Sequence, residues 1–168
     1  VMINHGGTEM GQGLHTKICQ VVARELGLDL DKVRITATRT DKIPNTSPTA
    51  ASSGADLNGM AARVAATKLR ERLFDFAAGH FAEGLDREGM HLEDGMLIAG
   101  LGESQQRIPW GELVQTAYLN RISLSEKGFY ATPLIHYDRS TGQGRPFYYF
   151  AFGAAVAEVS VDTLSGEY

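Results

Sequence analysis

The sequence predicts an α+β fold: a mixed β-sheet with helices packed on it. Apolar residues recur at helical spacing in two long stretches, 10–26 and 55–76. Strand-like segments stand on either side of the first, at 1–5 and 33–40. An Asp94-Gly95 pair lies between two apolar runs, a strong sign of a two-residue hairpin. Strands interleaved with helices of this length stack helices on a sheet, and the hairpin adds antiparallel pairing.

Taken in order, 1–5 is short, apolar and partly β-branched, hence a strand. In 10–26, Met10, Leu14, Ile18, Val21, Val22 and Leu26 fall on one stripe, and Gly27 supplies the stop. At 33–40, Val33, Ile35 and Ala37 alternate with Arg34, Thr36 and Thr38, which gives a strand with one face buried. Residues 41–53 are rich in Pro, Ser, Thr and Asn and read as a long loop. The second helix, 55–76, carries Leu57, Met60, Ala61, Val64, Ala65, Leu69, Leu73 and Phe76 on its stripe, with Gly79 just past its end. The hairpin joins 90–93 to 96–99. Pro109 suits the first turn of a third helix, 110–119. Short strands are expected at 121–125 and 129–130, and a turn-rich loop at 138–146. The longest strand is expected at 149–161, apolar on both faces in its first half and alternating in its second.

Composition narrows the function. Hydrophobic residues make up 43% and charged residues 21%, which excludes disorder as a global description. Sixteen Lys and Arg against 20 Asp and Glu give a net charge of −4, without the basic footprint of a nucleic-acid binder. No apolar run reaches bilayer length. The single cysteine, Cys19, allows neither an internal disulfide nor a four-thiolate site, and a reducing, cytoplasmic compartment is the simpler reading. The chain begins inside a strand-like run and its last residues, 164–168, read as a turn with a strand about to begin, so residues 1–168 are expected to form part of one domain truncated at both ends.

Two loops could carry chemistry. His5-Gly6-Gly7-Thr8-Glu9-Met10-Gly11-Gln12-Gly13 runs into the first helix, whose unpaired amides point back at it. Anionic oxygens bind well in such places, and Gln12 adds both a donor and an acceptor. The loop lacks the Gly-Lys-Ser/Thr of a P-loop and the glycine spacing of a dinucleotide fingerprint. The second loop, 44–55, has the same construction, with Ser52 or Ser53 as an N-cap. If the two helices lie side by side, both amide-rich starts converge on one heteroatom-rich ligand. The bland readings are a tight-packing turn and an ordinary capped helix. The five histidines show no metal-ligand spacing. Glu9 reads as a helix-dipole partner, Cys19 as a small buried hydrophobe, and the charges of the second helix as its solvated face.

The string Gly-Gly-Thr-Glu-Met-Gly-Gln-Gly-Leu-His-Thr-Lys at 6–17 resembles a molybdopterin-contacting segment of the molybdenum hydroxylases. Ser47-Pro48-Thr49-Ala50-Ala51-Ser52, with Asp56 and Gly59 behind it, resembles a second. Gly128-Phe129-Tyr130, Thr132-Pro133, Tyr137 and Gly144-Arg145-Pro146-Phe147-Tyr148-Tyr149-Phe150 look like the xanthine dehydrogenase branch of that superfamily.

The resemblance implies a cofactor of molybdenum bound to molybdopterin. It implies hydroxylation of hypoxanthine or xanthine, with electrons leaving through iron–sulfur clusters and FAD, usually to NAD. Carried over by position, Met10, Gly11 and Gln12 contact the pterin. Ala51 sits with its backbone beside the molybdenum, and Ser52, Gly54 and Ala55 bind pterin or its phosphate. Gly54 departs from the pattern where a second hydroxyl is expected. The family's catalytic glutamate belongs to a Gly-Glu-Pro-Pro-like motif that does not occur here. The implied partners are therefore the remainder of the molybdenum subunit and the iron–sulfur and FAD modules, with a purine as substrate. The 168 residues alone are expected to be inactive and to self-associate along 1–5. The alternatives are a hydroxylase of aldehydes or N-heterocycles, or a non-catalytic domain that binds an anion or a protein partner.

Overall fold

The structure is a computed structural model that describes residues 1–42, 46–50, 52–81, 87–100, 105–150 and 153–168. It divides into two compact units, Val1–Leu134 and Ile135–Tyr168.

The first unit opens with a β-α-β turn of chain. Strand β1 (Met2–Ile3) pairs in parallel with β2 (Arg34–Ile35), and helix α1 (Leu14–Glu25) connects them. Helix α1 begins four residues later than its apolar stripe suggests. Gly11 and Gly13 have φ of 98° and 75°, outside helical geometry, so Met10 belongs to the loop. Leu14, Ile18 and Val22 are buried on one face. With Ile3, Ala23, Leu26, Val33 and Ala66 they form one core cluster. Gly27 ends α1 with φ 60°, and a Cβ there would overlap the Leu92 carbonyl. β2 is shorter than its alternating pattern, although the Thr36 amide still donates to Ile3 O at 3.0 Å.

Helix α2 (Gly54–His80) spans about 40 Å at 1.5 Å per residue and serves two cores. Its first half packs on α1 through Ala66. Its second half gives Leu73, Phe74 and Ala77 to a cluster with Met90, Leu97, Ala99, Ile108, Leu113 and Ala117. Gly79 lies inside α2 rather than beyond it. The Phe81 amide bonds Ala77 O, and His80 stacks on Phe76 at 5.0 Å, so the last turn persists across the glycine. The second cluster is floored by the antiparallel sheet β3 (His91–Glu93), β4 (Met96–Ala99) and β5 (Gln106–Pro109), in the order β3-β4-β5. Asp94 and Gly95 both have positive φ, 48° and 71°, as a tight two-residue hairpin requires. The Gly95 amide donates to Gly27 O at 2.7 Å, which docks the hairpin on the end of α1. Helix α3 (Trp110–Leu119) follows Pro109 directly.

Residues 121–134 run along α2, and the short strands expected at 121–125 and 129–130 do not form. Arg72 ties part of this segment to α2: its guanidinium donates to the carbonyls of Ser123 and Ser125 and pairs with Glu126. Lys68 donates to Lys127 O at 3.3 Å. At Gly128 the chain crosses so closely that a Cβ would overlap the Ala61 carbonyl. The charges of α2 are therefore not simply solvated. Arg63 and Arg70 pair with the nearly buried Glu25 of α1, and Arg87 pairs with Glu71 and Asp75.

The second unit holds a hairpin, β6 (His136–Asp138) and β7 (Gln143–Arg145), inside the expected loop. The Asp138 carboxylate accepts from the Ser140 amide and from the hydroxyls of Ser140 and Thr141, which pins the turn. The long strand expected at 149–161 is not formed. Residues 153–161 are exposed and carry no ladder, with Val156 96% exposed, and residues 151 and 152 lie outside the described set. A sequence with strand propensity still needs a neighbour's backbone. The fold is α+β with helices packed on sheets, as expected. Its parallel and antiparallel pairings occupy separate sheets instead of one mixed sheet. Among the described residues no helix is long and apolar enough to cross a membrane.

Candidate cofactor site

The two loops that precede α1 and α2 meet. The Thr8 amide donates to Thr49 Oγ1 at 2.8 Å, across 41 residues of sequence. Gly6 lies so near Thr46 that a Cβ would overlap the threonine side chain. A Cβ on Gly54, the first residue of α2, would stand 3.0 Å from a methyl of Leu14, the first residue of α1. The convergence of the two helix starts, expected from their order alone, is thus present.

The donors are distributed unequally. At α1 the carboxylate of Glu9 takes the amides: Oε1 accepts from Gly11 and Gly13 at 2.9 Å each, and Oε2 accepts from His15 at 3.0 Å. These bonds, the His15 amide first, hold the Glu9 carboxyl below its usual range. Glu9 is therefore the dipole partner that its position suggests, and the amides of Gly11, Gly13 and His15 are not the free ligand donors expected. Gln12 also folds inward. Its Oε1 accepts from the Met10 amide at 2.6 Å and its Nε2 donates to Thr8 O at 2.8 Å, so it braces the loop. Met10 points outward, 66% exposed.

At α2 no side chain caps the helix. Ser53 occupies the N-cap position, but its hydroxyl donates back to Ala50 O at 2.8 Å. The first-turn amides, which have no intrahelical acceptor, meet no acceptor among the described residues. Ser52, exposed with φ 57°, and the exposed Ala55 flank the buried Gly54. Ala51, expected beside the metal, lies outside the described residues, as do Pro44 and Asn45. Thr132, from the 128–133 motif, reaches Asp56 in the first turn of α2, Oγ1 to Oδ2 at 3.4 Å. That motif and the second loop are therefore neighbours.

Two contributors were not legible in the sequence. The Thr8–Thr49 bond joins residues with no spacing relation. His5 is buried beside the loop, with Nδ1 accepting the Gly7 amide at 3.0 Å, and burial, then His15, lower its pKa to about 4. Only the burial of the ring distinguishes it from the other histidines. Cys19 is half-buried and its pKa is raised by burial, as suits a packing residue. Among the described residues no three His, Cys, Asp or Glu side chains gather as a metal site. The donor set is backbone amides and hydroxyls at the positive end of a helix, beside a braced polar loop. It fits an anionic, heteroatom-rich organic group.

Comparison with known proteins agrees with this chemistry. The family model described as molybdopterin cofactor-binding domain matches residues 1–168. The chain is 41% identical over 168 residues to xanthine dehydrogenase/oxidase of Gallus gallus and 42% identical over the same length to xanthine dehydrogenase of Oryza sativa subsp. japonica. All of this chain aligns, but it spans only 10% of either relative. In structure it is similar to quinoline 2-oxidoreductase from Pseudomonas putida 86, with a TM-score of 0.63 at 23% identity. That match covers 77% of this chain and 17% of the other and speaks for the fold. With a family model matched from the first residue to the last, this chain belongs to the molybdopterin cofactor-binding domain family.

Proposed function

We propose that this chain supplies part of the molybdopterin site of a xanthine dehydrogenase-like molybdenum hydroxylase that oxidises hypoxanthine and xanthine. The observation that carries the reading is the Thr8–Thr49 bond, which presents the 6–13 loop and the open start of α2 to one ligand. Met10, Gly11 and Gln12 contact the pterin from one side, on a loop whose Met10 and Gly11 amides are held by Gln12 and Glu9. Ser52, Gly54 and Ala55 hold it or its phosphate from the other, with Ala51 next to the metal. Gly54 contributes through its amide alone. When bound, the group supplies two-electron oxidation of the carbon that is hydroxylated. The relatives of about 40% identity favour a purine substrate. The remainder of a molybdenum subunit, with iron–sulfur and FAD modules, completes the enzyme, and we place it in the cytoplasm. Residues 1–168 alone turn over no substrate.

The test is metal and pterin analysis of the longer protein that carries these residues, followed by assays with hypoxanthine, an aldehyde and quinoline. Near-stoichiometric molybdenum and pterin with preference for hypoxanthine is expected. Preference for the aldehyde or quinoline would replace the substrate but keep the site. Absence of pterin would remove the site.

A further inference from the structure

His5 precedes the Gly6-Gly7 turn and is buried, 8% exposed. Because Nδ1 accepts the Gly7 amide, the neutral ring carries its proton on Nε2. Nε2 is buried and has no hydrogen-bond partner among the described residues. Folded proteins satisfy nearly every such group, because a buried donor without an acceptor loses its bond to water for nothing. Among the described residues none of the groups that border it takes this bond. The His15 ring meets His5 edge-on at 5.1 Å and turns its own Nε2 to Gly7 O. A Leu14 methyl and the Asn58 amide nitrogen border Gly7. Leu14 also borders Gly54, so His5 stands at the seam between the first turns of α1 and α2.

We propose that the Nε2–H of His5 is a donor kept for an oxygen or ring-nitrogen acceptor of the bound pterin cofactor, an inference that rests on the function proposed above. The Gly7 amide fixes the tautomer, so the donor is set before the ligand arrives and costs little to order on binding.

Two substitutions in the longer, cofactor-loaded protein separate the two nitrogens. His5→Asn keeps an acceptor for the Gly7 amide and removes the donor at Nε2. His5→Gln places an amide near Nε2 and gives up the Nδ1 acceptor. The Asn variant is expected to lose pterin roughly tenfold faster on dialysis, the loss of about one hydrogen bond. Its cofactor-free form should melt like wild type, and the rise in melting midpoint on loading should shrink. The Gln variant should retain pterin within about twofold of wild type. Wild-type retention in the Asn variant overturns the proposal. So does equal loss in both variants, which marks the ring as a filler. So does equal destabilisation of the free and loaded forms, which gives the acceptor to the protein or a trapped water. A wild-type protein without pterin overturns the functional reading beneath it, and that result is visible before any substitution is made.

Discussion

Burial beside His15 lowers the His5 pKa from 6.5 to about 4, so the unfolded chain binds a proton that the folded chain refuses between those values. Stability from His5 is complete above about pH 6.5 and declines as the pH falls toward 4, by at most about 3 kcal/mol. Denaturant titrations across this window should show the slope, and His5→Phe should flatten it. Glu9 acts with the same sign. Its carboxyl is held below the usual range by the amides it accepts, so further acid removes the cap of α1. Gln12 behaves differently, because both of its bonds stay within one exposed loop. Gln12→Ala should leave the melting midpoint within a few degrees of wild type and lower the pterin content of the longer protein at least severalfold. An unchanged content takes Gln12 out of the site. The loop's glycines, Glu9 and Gln12 were all legible as polar, permissive residues before a helix. Their hydrogen bonds were not, because a carboxylate or amide two to six residues from several donors can face inward or outward with the same spelling.

At the level of elements, Gly128 is the tightest joint. It carries the 121–134 segment over the backbone of Ala61 and Ala65 in α2. Gly128→Ala should cost about 3 kcal/mol or more, since the obstacle is main chain and cannot rotate away. Equilibrium denaturation measures it, and a cost below about 1 kcal/mol would mean the segment lifts freely. The sequence revealed α1, α2, α3 and the β3–β4 hairpin because each has a period, a stop or a turn pair that physics reads locally. β5 was invisible. Of its four residues only Ile108 is buried, so it shows no alternation. β6 and β7 were hidden for the same reason, every residue being exposed. The strand expected at 149–161 failed in the opposite way: its pattern is strong, but pairing is a property of two segments.

Taken whole, the molecule presents surfaces that its own residues leave uncovered. Val1 and Met2, at the start of β1, are exposed, and the β1–β2 pair stands alone as a two-stranded sheet among the described residues. Val156, Val159 and Val161 in the second unit are exposed on unpaired backbone. Such edges invite pairing with another chain. Residues 1–168 on their own should therefore associate with rising concentration in sedimentation velocity. A single monomeric species throughout would show that water covers these edges adequately.

Met10 and Met2 form a built-in chemical footprint. The two residues are 66% and 71% exposed, so dilute peroxide should convert both to sulfoxide at similar rates. If the pterin comes to rest where the 6–13 loop and α2 converge, Met10 falls under its shadow while Met2, on β1, does not. Peptide mass spectrometry of the loaded and emptied protein then reports occupancy as a ratio within each molecule. Oxidation at Met2 supplies the internal clock, and no catalytic turnover is needed to read it.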